Sequence, residues 1–226
     1  MIWTFYSFLC VILPCLIYQI VVIKRKDLKG QKNLVIHLVW VYIFLLYIYL
    51  ALSKAGIGSI WDIGKYSNLF RINEINLIPF NSNGILTYIL NIIMFMPLGF
   101  LLPLIWKNFR NIVNVSLTGL GFSLSIEFCQ LFNFRATDID DLMMNTLGTV
   151  LGYFLWICVS NLFNLIKKNS MFSSICKNIT QDEIAITIDD DISKKITFLY
   201  KNEAIIYLIL AVLGEFLLFN WSIIPY

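Results

Sequence analysis

Residues 87–106 read TYILNIIMFMPLGFLLPLIW, twenty consecutive residues without a charged side chain. The hydrocarbon core of a bilayer is roughly 30 Å thick, and about 20 apolar residues in a helix cross it. No water reaches that core to satisfy an exposed backbone, so the segment that crosses must bond its own peptide groups. Comparable runs recur near 2–23, 34–53, 112–132, 141–166 and 203–223. The chain is 59% hydrophobic and 14% charged, against about 25% charged for a soluble domain. The excess is gathered into span-length runs. The expected fold is therefore an all-α polytopic membrane protein, a helical bundle of about six transmembrane helices.

Loop charge sets the expected orientation, because loops rich in Lys and Arg stay in the cytoplasm. Lys24, Arg25, Lys26, Lys29 and Lys32 follow the first span, and Lys107 and Arg110 lie between the third and fourth. Lys167, Lys168, Lys177, Lys194, Lys195 and Lys201 precede the last. That side holds 13 basic residues, and the other holds 4: Lys54, Lys65, Arg71 and Arg135. Both termini are thus expected to be extracellular. The net charge of +3 gives no argument for a nucleic-acid partner.

Four regions follow: a first helix with its basic loop (1–33), a central helical membrane domain (34–166), a cytoplasmic loop (167–202) and a last helix (203–226). Met1 to Ile23 has no basic residue before it and no small-residue cleavage site, so a retained helix is expected rather than a removed signal. The loop from Lys54 to Leu86 mixes glycines with Trp61, Tyr66, Phe70 and Phe80, which suits a segment at the outer interface. From Glu183 to Tyr200 isoleucines alternate around Asp189-Asp190-Asp191, the pattern of a small cytoplasmic hairpin. The five cysteines have no metal-ligand spacing, and four sit in apolar runs as small hydrophobes.

Three neighbouring spans carry polar residues where hydrocarbon makes them costly. Asn91 lies in the third. Glu127 and Gln130 lie in the fourth, with Arg135 beyond it. Asp138, Asp140, Asp141 and Asn145 open the fifth. At about 1.5 Å per residue, Asn91, Glu127 and Asn145 all fall roughly 6–8 Å inside the outer boundary. Positions 138, 141, 145, 148 and 152 have the spacing of one helical face. That face lines up Asp138, Asp141 and Asn145, continues inward as Gly148 and Gly152, and leaves Asp140 pointing elsewhere. Glu127 and Gln130 share a face by the same rule. Pro97 and Pro103 are expected to kink the third span and open a crevice beside the cluster.

Structural roles compete with functional ones here. Thr137, with Asp140 three residues on, has the form of a capping box, and Arg135 can pair with Asp138. Asn91 and Asn145 suit hydrogen bonds between helices as well as a ligand. A carboxylate inside a span, as at Glu127, is by default a functional candidate. His37, the sole histidine, sits at the start of the second span with no partner apparent from the sequence. There is no phosphate-cradling loop, catalytic triad or zinc motif.

Several of these residues form a recurring pattern. Asn76-Leu-Ile-Pro79-Phe80 precedes Asn91-xxx-Phe95-Met-Pro97-Leu-Gly99. Glu127-xx-Gln130 follows, then Arg135-xx-Asp138-xx-Asp141-xxx-Asn145-xx-Gly148. In this order, on adjacent spans, they resemble the VanZ-like family of bacterial membrane proteins, associated with teicoplanin resistance. The resemblance covers roughly Asn76 to Trp156. It implies a cell-envelope role that affects how lipoglycopeptides meet the cell surface, and supplies no mechanism.

The expected partner is a membrane lipid or lipid-linked envelope precursor. Its headgroup would meet Asn91, Glu127, Gln130, Arg135, Asp138, Asp141 and Asn145 at the outer leaflet. No cofactor is implied beyond a divalent cation bridging Asp138 or Asp141 to a lipid phosphate. One alternative is an integral membrane hydrolase or transferase with Glu127 as general base and Asp141 as acid or metal ligand. A small lipid transporter is a second, although the polar motif has no inverted repeat in the other half.

Overall fold

The computed structural model describes residues 2–25, 32–63, 75–76, 78–80, 84–133, 137–169 and 202–220. Six long helices occupy them: α1 (Ile2–Arg25), α2 (Lys32–Ala55), α3 (Ile85–Ile105), α4 (Ile112–Gln130), α5 (Ile139–Asn169) and α6 (Glu203–Leu218). The first five are long and apolar enough to cross a membrane, so the chain is a multi-pass, all-α membrane protein. The sixth is shorter than the hydropathy implies. Its 16 residues extend about 24 Å, and the chain then turns extended at Phe219. The expected hairpin at 183–200 and the residue Arg135 lie outside the described residues.

Apolar side chains face both ways, as a lipid solvent permits. Phe44, Leu45 and Ile48 of α2 pack inside with Phe95, Leu98 and Leu102 of α3 and Tyr207 of α6. Ile36, Leu86, Leu117 and Phe163 are all more than half exposed around the perimeter.

The tightest pairing is α3 against α5, two helices that run in the same direction. Glycines make it possible. A Cβ on Gly148 would strike the Ile92 carbonyl, one on Gly152 the Met96 carbonyl, and one on Gly99 the Thr149 carbonyl. Backbones approach this closely only where side chains are missing. α3 continues through both Pro97 and Pro103. At that level it lies in backbone contact with α5, where a crevice was expected. α4 packs antiparallel on α5, with Gly119 seated on the Thr149 side chain.

α1 and α6 form a second antiparallel pair. Gly214 abuts the Cys10 carbonyl, Ser7 Oγ donates to Glu215 Oε1 at 2.8 Å, and Tyr6 OH donates to the Leu218 carbonyl at 2.6 Å. At the end where α3 finishes and α6 begins, Glu203 ties three helices together. Its carboxylate accepts from Trp106 Nε1 at 2.9 Å and Tyr207 OH at 3.2 Å, and lies 3.0 Å from His37 Nε2. His37 therefore has the partner that its own neighbourhood in sequence does not reveal.

Candidate functional site

The polar residues gather where α4 ends and α3 and α5 begin. Residues 75–76 (β1) and 137–138 (β2) form a two-residue parallel bridge, with Ile75 opposite Thr137 and Asn76 opposite Asp138. It draws the Asn76–Phe80 segment onto the start of α5.

Asp138 therefore belongs to the bridge, and α5 begins one residue later. Its side chain caps the helix: Oδ1 accepts the Asp140 N–H at 3.0 Å and Asn76 Nδ2 at 3.4 Å. This corrects one expectation. Asp138 does not continue the helical stripe of Asp141 and Asn145, because its backbone is paired to another strand. As a cap, its carboxylate serves an exposed amide of the first turn and suits the helix dipole.

Asp140, expected to point elsewhere, faces the Asn76–Phe80 segment and Tyr88. It is fully buried and accepts the Phe80 N–H at 2.8 and 3.0 Å and the Tyr88 hydroxyl at 2.8 Å. Phe80 holds φ at 62°, a left-handed conformation that bulky residues seldom adopt. The Asp140 bonds hold that turn in place. Asp138 and Asp140 thus fasten the preceding loop to α5.

Beneath them runs a ladder between helices. Asn91 Nδ2 donates to Asp141 Oδ1 at 2.6 Å, joining α3 to α5. Glu127 Oε2 accepts the Asp138 N–H at 3.3 Å. One turn deeper, Asn145 Nδ2 donates to Ser123 Oγ at 2.9 Å, and below that Thr149 Oγ1 donates to the Asn145 carbonyl at 3.0 Å. Gln130 turns toward α2, where Nε2 donates to the Ala55 carbonyl at 2.8 Å. Asn133 serves Gly56 in the same way, at 2.8 Å.

Glu127, Gln130, Ser123, Asn145 and Thr149 are all at least nine-tenths buried. Among the described residues, two of them keep an acceptor that meets no donor: Gln130 Oε1 and Asn145 Oδ1. Buried polar atoms are ordinarily paired, and these two are not. Among the described residues, no three carboxylate, imidazole or thiol side chains converge as metal ligands.

Sequence reasoning missed Tyr88, Ser123 and Thr149, and it named Asn76 only within the family pattern, without its bond to Asp138. Ser123 was within reach, because it lies one helical turn from Glu127 on the same face. Asn76 and Tyr88 were not, since their partners lie 62 and 52 residues away.

A family model described as VanZ/LLP1 matches residues 38–164, more than half of the chain and every helix that builds the cluster. No curated protein and no solved structure matches the chain. The match takes in Asn91, Glu127, Gln130, Asp138, Asp141 and Asn145 and leaves α1 and α6 outside. This multi-pass membrane protein belongs to the VanZ/LLP1 family.

Proposed function

We propose that the cluster holds the headgroup of a membrane lipid or lipid-linked glycan, and that through it the protein alters lipoglycopeptide sensitivity. The observation that carries this reading is the pair of buried, unanswered amide oxygens, Gln130 Oε1 and Asn145 Oδ1. Both are acceptors, so the ligand must donate. A sugar hydroxyl or an ammonium headgroup does so, whereas a bare phosphate does not. Arg135, three residues before the Asp138 cap, supplies the positive charge that a lipid phosphate needs. The loop charges support an outer-leaflet position, with both termini outside.

The reading is tested in a deletion strain complemented with wild type, Glu127→Gln or Arg135→Ala at matched membrane levels. Teicoplanin and a glycopeptide without an acyl chain are compared. Wild type is expected to shift teicoplanin sensitivity and the variants are not. Equal sensitivity in all strains contradicts the antibiotic role.

A further inference from the structure

On the far side of α4 from the cluster, α4 and α6 diverge and leave a cleft of about 570 Å³. It runs from Ile205 to Phe216 along α6, about 16 Å at the helical rise. The walls open to the bilayer, with Leu117 60% and Phe128 57% exposed.

The two hydroxyls in the cleft are already used. Thr118 Oγ1 donates to the Asn114 carbonyl at 2.8 Å, and Ser125 Oγ donates to the Phe122 carbonyl at 2.7 Å. An occupant therefore meets a surface that asks for no hydrogen-bond acceptor. Gly121 opens the floor, since a Cβ there would have no neighbour within 4 Å.

At one end the character changes. A second pocket of about 400 Å³ shares Leu117, Thr118 and Ile205 with the cleft and is lined by Asn108, Asn114 and Asn202. Lys107 stands exposed in the same short turn as Asn108. An apolar channel thus leads into an amide-lined pocket with a cation in the adjoining turn, which is the outline of an anionic amphiphile. We propose that this cleft seats one acyl chain of an anionic membrane lipid, with its phosphate beside Lys107 and Asn114. The site shares no residue with the cluster and does not depend on the function proposed for it.

The test is native mass spectrometry of the full-length protein after exchange into phosphatidylglycerol or phosphatidylcholine. Wild type should retain phosphatidylglycerol at least fivefold more than phosphatidylcholine. Gly121→Phe should carry one fewer bound phosphatidylglycerol, and Lys107→Glu should lose the preference. Leu213→Trp blocks the cleft from α6, so a folding defect in one variant leaves the other informative. Asn145→Leu, in the other site, should keep this lipid. Unchanged lipid counts in both blocked variants, or equal retention of the two lipids by wild type, overturn the proposal. So does a dimer mass that Gly121→Phe abolishes, because the cleft would then hold a second copy of the chain.

Discussion

Asp140 and Asn145 lie five positions apart on α5, and their bonding separates a structural residue from a candidate ligand residue. Asp140 spends both oxygens on Phe80 and Tyr88. Truncating a buried, bonded group costs about 1–3 kcal/mol for each partner left unpaired. Asp140→Ala should therefore lower the thermal midpoint in detergent clearly more than Tyr88→Phe, which removes a single hydroxyl. Equal effects would show that the Phe80 turn does not depend on Asp140. Asn145 keeps an unanswered oxygen, so Asn145→Leu should disturb bound lipid more than stability. Chain order and helical spacing brought out Asn91, Glu127 and Asn145 as members of one level. They could not show Asp138 as a cap, because its strand partner Asn76 lies far back in the chain and periodicity sees only local geometry.

Glycine geometry governs the pairing of α3 with α5. A side chain at Gly148 or Gly152 would meet a backbone carbonyl, which cannot rotate away as a flexible side chain can. Overpacking of this kind typically costs about 1–3 kcal/mol. Gly148→Ala and Gly152→Ala should each reduce the fraction of monodisperse protein on size-exclusion chromatography, while Gly121→Ala should not. The small-residue stripe on α5 was legible from spacing alone. Its partners, the carbonyls of Ile92 and Met96, were not, because spacing names a face and not the helix it meets.

The whole bundle is closed at one end by Glu203, which reaches α2 through His37 and α3 through Trp106. Glu203→Leu leaves the Trp106 N–H and the Tyr207 hydroxyl buried without an acceptor, a loss of about 2–6 kcal/mol by the same reckoning. Glu203→Gln, which retains an acceptor oxygen, should lose less in a thermal melt. Equal losses would mean that charge rather than acceptor placement holds the end together. Hydropathy made the helix count and the membrane class legible, because both depend on runs of about 20 residues. The Glu203 junction joins positions 166 residues apart and had no local signal.

The central claim is that the buried acceptors of the cluster meet a lipid headgroup. The most direct measurement is lipid mass spectrometry on wild type, Asn145→Leu and Arg135→Ala purified from bacterial membranes under identical conditions. A headgroup class other than phosphatidylglycerol, bearing hydroxyl or ammonium donors, should be enriched on wild type over bulk membrane and reduced at least fivefold on both variants. A bound-lipid profile unchanged by both substitutions would contradict the claim.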